Sequence, residues 1–236
     1  MPGSPSLLVV VTGTPTEPVA ARRGDFVAIL RDALGPSFRG NIDSVDARTE
    51  ALAGRSRATD AVLITGSASH VHHREPWVLA AEAWLREEVA DGRPILGLCF
   101  GHQLLASALG GVVLPNPLGR EMGTVELERL EEDTLLDGLP ARFAANTCHL
   151  DTVTALPAGA RVLLRSELDF YQCVRFAPRC YGVQFHPEFD GDVMRGYIEA
   201  RREQLLAEGR DARRMHEAAS DTPEASRLLA NFLEHV

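Results

Sequence analysis

Cys99, His186 and Glu188 are the residues of this 236-residue sequence whose types and spacing could do covalent chemistry. Cys99 stands between Gly97 and Gly101, the spacing of a nucleophile elbow. In such a turn, small flanking residues let a strand bend sharply into a helix and hold the central side chain at the corner. A thiol at the start of a helix meets unpaired N–H groups and the positive end of the helix dipole, and both favour the thiolate. A cysteine in an apolar run is otherwise ordinary core. Glycines on both sides argue for the elbow, and the elbow then needs a base and an orienting acid. The run Cys180-Tyr-Gly-Val-Gln-Phe-His-Pro-Glu-Phe189 offers both. Pro187 ends the strand and stiffens the turn that carries His186 and Glu188. An imidazole there could take the thiol proton, with the carboxylate fixing its tautomer from the far nitrogen.

Those residues need a scaffold that brings two distant strand ends together. Leu7–Val11, Ile42–Asp46, Ala61–Thr65 and Pro94–Leu98 read as strands, the β-branched runs as strands covered on both faces. Asp25–Leu34, Glu75–Val89 and Phe100–Leu109 read as helices between and after them, while Thr12–Arg23, rich in Thr, Pro and Gly, reads as loop. This alternation predicts an α/β fold, a doubly wound, open, mostly parallel sheet with helices on both faces. Such sheets bind ligands at the carboxyl ends of their strands, where Gly66-Ser67 and Cys99 fall. Beyond Gly111 the pattern changes to shorter strands with an antiparallel share, at Val112–Leu114, Gly123–Leu130, Arg142–Thr147, Arg161–Arg165, Phe170–Phe176 and Cys180–Phe185. Helices around Val193–Glu208, Ala212–Ala219 and Pro223–His235 complete one domain over 1–236, with 190–236 as a helical extension. That extension reads as packing plus a solvated charged face rather than as a lid or a partner surface.

Composition closes off several functions. The formal charge of -9 argues against nucleic acid or an anionic membrane as the main partner. Every side chain counted as Lys or Arg is an Arg, which excludes a Walker-type phosphate loop and a lysine Schiff base. The N-terminus has no basic region and its apolar run Leu7–Val11 is too short for a secretion signal, and no transmembrane span is evident. Cys99, Cys148, Cys173 and Cys180 lack metal-finger spacing and are expected as reduced thiols in the cytoplasm. The cluster Ser69-His-Val-His-His73 lacks a Cys or carboxylate partner at set spacing, so it reads as a loop over the site; neither a metal nor another cofactor is expected.

Gly97-Leu-Cys-Phe-Gly-His-Gln103 together with Gly182-Val-Gln-Phe-His-Pro-Glu188 closely resembles the paired signatures of the class I, triad-type glutamine amidotransferases. That group includes the glutaminase domains of GMP synthetase and carbamoyl phosphate synthetase, and the resemblance runs from Leu7 to Phe189, most like a stand-alone GMP-synthetase glutaminase. It implies attack by Cys99 on the side-chain amide of glutamine, with His186 as base and then acid and Glu188 as its orienting carboxylate. It implies an oxyanion hole from the backbone N–H groups of Phe100 and the Gly66-Ser67 loop, and a substrate contact from Gln103. Cys148-His149-Leu150-Asp151 matches the family's Ser-His-Gly-Asp, a loop whose backbone holds the glutamine α-carboxylate and amino group. Leu150 in place of Gly, and Ser67-Ala68 in place of Pro and its neighbour, depart from that pattern. Tyr171-Gln172 falls where members carry an aromatic-polar pair lining the pocket, and His102 is expected to pack or face solvent. The implied substrate is therefore a small molecule, glutamine or another γ-glutamyl compound. The chain has no motif for an ATP-using module, so ammonia goes to a separate synthetase subunit, or the protein is a stand-alone γ-glutamyl hydrolase. A silent binding module with the same fold is the reading from another class; folding alone does not demand an intact Cys, His and Glu.

Overall fold

The computed structural model describes residues 5–234. Met1–Ser4 of the expected leaderless N-terminus and His235 of the last predicted helix lie outside that range. The chain opens with β1 (Leu7–Val11), α1 (Glu17–Arg23), α2 (Phe26–Leu34), β2 (Ile42–Asp46), β3 (Ala61–Ile64), α3 (Pro76–Ala90), β4 (Ile95–Leu98) and α4 (Phe100–Ala108). It continues through β5 (Val112–Pro115), β6 (Glu121–Arg129), β7 (Arg142–His149), β8 (Asp151–Ala155), β9 (Arg161–Arg165), β10 (Cys173–Ala177) and β11 (Cys180–Val183). It ends in α5 (Gly191–Ala200), α6 (Arg202–Ala207), α7 (Ala212–Ala218) and α8 (Pro223–Glu234).

Nine strands form one sheet in the order β2-β1-β3-β4-β11-β10-β9-β6-β7, and β5 pairs with β8 in a separate ribbon. The pairs from β2 through to β11 are parallel, and those from β11 through to β7 are antiparallel. Side chains of a strand alternate between faces, and β1 divides accordingly. Leu7 and Val9 enter one core with Leu30, Leu228 and Phe232, while Leu8 and Val10 enter the other with Ala81, Leu85, Phe100 and Leu104. Helices on both faces thus seal the sheet, as the unbroken apolar strands require. No helix among the described residues is long and apolar enough to cross a membrane.

The segment Thr12–Arg23 is a correction, because it holds α1. Pro18 falls in the first turn, where a missing N–H costs no helical bond. β8 is a second addition, its ladder with β5 hidden by a mixed sequence pattern. The predicted strand Phe170–Phe176 begins only at Cys173, since Tyr171 N–H donates to Asp169 Oδ1 at 2.8 Å and turns the chain there. The predicted helix Val193–Glu208 is interrupted at Arg201, whose φ of -109° and ψ of 14° separate α5 from α6. Val193, Met194, Tyr197 and Ile198 of α5 bury against Val19, Phe26 and Phe189 in a third core. The C-terminal extension therefore packs as expected, and its α5–α6 corner also reaches the site.

Candidate active site

β4 and β11 lie side by side, parallel, with Gly97 opposite Gly182 and Leu98 opposite Val183. Both strands end at the same edge, and each delivers one part of the site. Cys99 follows β4 with φ 52° and ψ -99°, a left-handed backbone that a non-glycine residue adopts only when its surroundings enforce it. Its N–H donates to Val183 O at 2.7 Å and its carbonyl accepts from Gln103 N–H at 3.1 Å, so the corner is tied to the neighbouring strand and to α4. The flanking glycines permit the close approach. A Cβ on Gly97 would stand 2.5 Å from the Gly101 carbonyl, and one on Gly101 would stand 2.6 Å from Ile64 O.

From the end of β11, His186 turns back toward the cysteine. Its N–H donates to Asn146 O at 2.8 Å, its ring stacks on Phe189 at 3.9 Å, and its Nδ1 pairs with Glu188 Oε1 at 2.8 Å. Ser226 of α8 donates to Pro187 O at 2.9 Å and pins the turn from below. Burial alone would raise the Cys99 thiol, but the charge of His186 and its hydrogen bond outweigh that, and the thiol lies below its ordinary value. Burial alone would lower His186, but the charges of Glu188 and Cys99 and hydrogen bonds to both hold it well above the ordinary imidazole value. The pair is thus biased toward thiolate and imidazolium. Gln184, two residues before His186, donates from Nε2 toward Cys99 Sγ at 3.6 Å. It also accepts from Gln103 Nε2 at 3.0 Å. Gln184 belongs to the motif but carried no assigned role; its i, i+2 spacing to His186 was the available signal.

Gly66 ends up against the same centre, since a Cβ on it would lie 3.1 Å from His186 Cε1 and 3.8 Å from Cys99 Cβ. Phe100 opens α4, where a backbone N–H has no partner within the helix. Next to Cys99 lies a cavity of about 220 Å³. Its walls include Gln103, His149, Leu150 and Asp151, the expected substrate contacts, together with Phe100 of the expected oxyanion hole and Ser67 and Ala68. Gln103 is buried and donates to Asp151 O at 2.8 Å. Leu150 O accepts from Asn116 N–H at 2.8 Å, which fixes that wall. Tyr171 and Gln172 are a correction: they do not line this cavity. Gln172 is buried and hydrogen-bonds Glu121 and Ser166, and Tyr171 meets Phe170 edge-on.

His149 is buried between two acids, with Nε2 3.0 Å from Glu121 Oε2 and Nδ1 3.8 Å from Asp169 Oδ2. Burial works to discharge it, but the Glu121 hydrogen bond and the Asp169 charge raise its pKa above the ordinary value. His102 has no such acid. Packed against Gly182 and Phe176, it is driven by burial to a pKa of about 3 and stays neutral. The loop Ser69–His73 does stand over the site, and the fold gives it the carboxylate its own sequence lacks. Asp151 Oδ2 lies 2.7 Å from His70 Nδ1 and 3.1 Å from His72 Nδ1. These three ligand atoms lie within 4.8 Å of one another, the one group among the described residues placed to hold a metal. Thiol chemistry at Cys99 does not route through it. Cys99, Cys148, Cys173 and Cys180 are all free thiols. Burial raises Cys148, takes Cys180 to about 12 and pushes Cys173 well up, so Cys99 alone of the four is lowered.

The model of the family described as glutamine amidotransferase class-I matches residues 30–201. The chain belongs to that family. Among relatives of this class I amidotransferase chain is a GMP synthase (glutamine-hydrolyzing) from Aeropyrum pernix, 37% identical over 185 residues, which are 78% of this chain and 33% of the relative. A γ-glutamyl-L-1-hydroxyisopropylamide hydrolase from a Pseudomonas species is 33% identical over 162 residues, 64% of this chain and 55% of the relative. One subunit of a GMP synthase (glutamine-hydrolyzing) from Pyrococcus abyssi is 44% identical over 100 residues, 40% of this chain and 50% of the relative. The chain thus spans between a third and just over half of the length of these relatives. The crystal structure of a glutamine amidotransferase from Thermotoga maritima superposes with a TM-score of 0.77 at 24% identity, covering 97% of this chain and 96% of that one. At that identity the likeness carries the α/β fold.

Proposed function

We propose that this chain is a glutaminase-type amidohydrolase that attacks a γ-glutamyl carbonyl through Cys99. The observation that carries the reading is the strained corner that sets a lowered thiol against an imidazole held by Glu188. The Cys99 thiolate attacks the γ-carbonyl carbon, and the carbonyl oxygen takes the negative charge. The N–H of Phe100 and one from the Gly66 loop are assigned to that oxygen. His186 gives its proton to the departing nitrogen, ammonia leaves, and a γ-glutamyl thioester remains. Water, deprotonated by the same imidazole, adds to the thioester; the thiolate leaves and glutamate is released. Gln184 and Gln103 are positioning residues that hold the sulfur and the pocket wall in register.

The likeness to one subunit of a GMP synthase supports a separate synthetase partner that consumes the ammonia. The likeness to a γ-glutamyl amide hydrolase, and Leu150 in a loop otherwise suited to free glutamine, support a second reading in which the leaving group is an amine. Both use one acyl-enzyme, so the leaving group separates them. The deciding measurement is nitrogen release from glutamine and from γ-glutamyl alkylamides, with and without cell extract. Ammonia from glutamine, stimulated by extract, is the expected result for the amidotransferase. Amine release with glutamine untouched would replace it by the hydrolase, and release of neither, or release that persists in Cys99→Ala, would reject both.

A further inference from the structure

Two histidines that the chemistry at Cys99 leaves unused meet a distant aspartate. His70 and His72 belong to the loop after β3, and Asp151, 81 residues beyond His70, opens β8. The loop is held by its own packing. Val71, between the two histidines, is buried in the same core as Phe100 and Leu104; His73 N–H donates to His70 O at 3.1 Å, and Arg74 ends the turn in the left-handed region at φ 56°. His70 Nδ1 then lies 2.7 Å, and His72 Nδ1 3.1 Å, from one and the same atom, Asp151 Oδ2. A hydrogen-bonded anchor accounts for only the first of these approaches. His70 is hydrogen-bonded to Asp151, but His72 Nδ1 is buried with no hydrogen-bond partner even at its 3.1 Å distance. Asp151, whose side chain is 4% exposed, faces two imidazoles rather than an arginine, and its Oδ1 has no partner among the described residues. Buried charges are stable when paired or bound to a metal, and buried nitrogens when partnered. One divalent cation among the three side chains meets both needs.

We propose that His70 Nδ1, His72 Nδ1 and Asp151 Oδ2 are the protein ligands of a divalent transition-metal ion of the zinc type. With its proton on Nε2, each imidazole offers Nδ1 as a lone pair. Metal–ligand bonds of about 2.0–2.2 Å put neighbouring ligand atoms roughly 2.8–3.6 Å apart in octahedral or tetrahedral sites. Of the two measured separations, 3.1 Å falls inside that range and 2.7 Å just under it, and all three atoms lie within 4.8 Å of one another. Two imidazoles and a carboxylate suit an ion of intermediate softness rather than calcium or magnesium, which take oxygen ligands. Three protein ligands leave a coordination position for water or another small ligand. The ion ties the loop that continues from Gly66 and Ser67 to the start of β8, two segments that both contribute to the cavity beside Cys99. The site goes beyond the amide-hydrolase reading and does not depend on it, and no step at Cys99 runs through the ion.

The test reads metal occupancy rather than turnover. Binding is followed in the untagged full chain by Co²⁺ absorption and by equilibrium dialysis against Zn²⁺, with the melting temperature as a further readout. The parent is expected to bind one equivalent with weak visible bands, to keep that binding in Cys99→Ala, and to melt higher as the ion concentration rises. His70→Ala, His72→Ala and Asp151→Asn should each weaken binding by at least about 10- to 100-fold, since even the outer-shell partners of a metal are worth that much. His73→Ala removes a ring 4.5 Å from that of His72 but outside the ligand set, and should bind as the parent does. His72 is partly exposed, so its variant is expected to melt like the parent without the ion, which separates lost binding from lost folding. Absence of stoichiometric binding, undiminished binding in His72→Ala, or an equal loss in His73→Ala would overturn the proposal. So would an intense near-ultraviolet thiolate band that disappears in Cys99→Ala, because it would put the ion on the sulfur instead.

Discussion

The parallel and antiparallel halves of the sheet handle buried imidazoles differently, and the difference separates chemistry from scaffolding. On the parallel side, His102 is buried without an acid and falls to a pKa of about 3, while His186 keeps Glu188 and Cys99 as partners and is raised. On the antiparallel side, His149 sits between Glu121 and Asp169 and is also raised. Burial discharges an imidazole, and a carboxylate at hydrogen-bond distance restores its charge. His186 differs from His149 in its second close partner, which is a strained thiol rather than a second fixed acid.

Removing the proposed nucleophile should have the largest effect. Cys99→Ala is expected to lower turnover by about 10⁴-fold or more and to abolish labelling by a glutamine-mimicking electrophile, with the thermal melt unchanged. Labelling that survives would return Cys99 to the ranks of the buried thiols. Next comes the antiparallel half, where His149→Leu leaves Glu121 and Asp169 facing each other without a counter-charge. The expected cost is about 3–5 kcal/mol in a denaturant titration. The raised pKa of His149 also sets a sign. Its stabilising contribution is complete below the ordinary value of about 6.5 and is lost as pH rises through the folded value, so the gap between parent and variant narrows in alkali. A gap that widens in alkali would contradict a charged His149.

Smaller effects probe the elbow itself. Gly97→Ala forces a methyl against the Gly101 carbonyl and is expected to destabilise by about 1–3 kcal/mol and to blunt turnover, both read in one preparation by melting and assay. A neutral result would mean the corner is less crowded than the 2.5 Å approach requires. The finest test is the pH profile of Cys99 alkylation. The parent should keep a reactive thiolate below the pH range of a free cysteine, because its pKa is lowered, and lose the imidazolium only above the ordinary histidine range, because that pKa is raised. Glu188→Gln should bring the alkaline limb down toward acid. An unmoved limb would remove Glu188 from its orienting role.

Much of this was legible in order along the chain. The β-branched runs and their glycine stops marked the parallel strands, and the Gly-x-Cys-x-Gly spacing marked the corner, because local sterics write themselves into local sequence. Pro18 hid α1, since a proline that reads as a loop breaker is harmless in a helix's first turn. The polar partners were harder. Glu121, Asp169, Arg120 and Arg201 sit in segments whose patterns announce only a strand, a turn or a charged helix, and nothing in their spacing pairs them with His149 or with the cavity. The same distance effect misread the histidine loop, whose carboxylate partner Asp151 is remote in sequence.

By itself the sequence determined the wound sheet and the elbow, because each depends on residues close together in the chain, and it marked His186 and Glu188 as candidates from their turn alone. The tertiary structure decided which charges face which. It brought Arg201 from the C-terminal corner and Asp151 into the walls of one cavity, left one atom of each unpartnered, and put Gln184 on the sulfur. Those are consequences of strand order and helix docking, in which Coulomb interactions depend on distance through space and leave no trace in spacing along the chain.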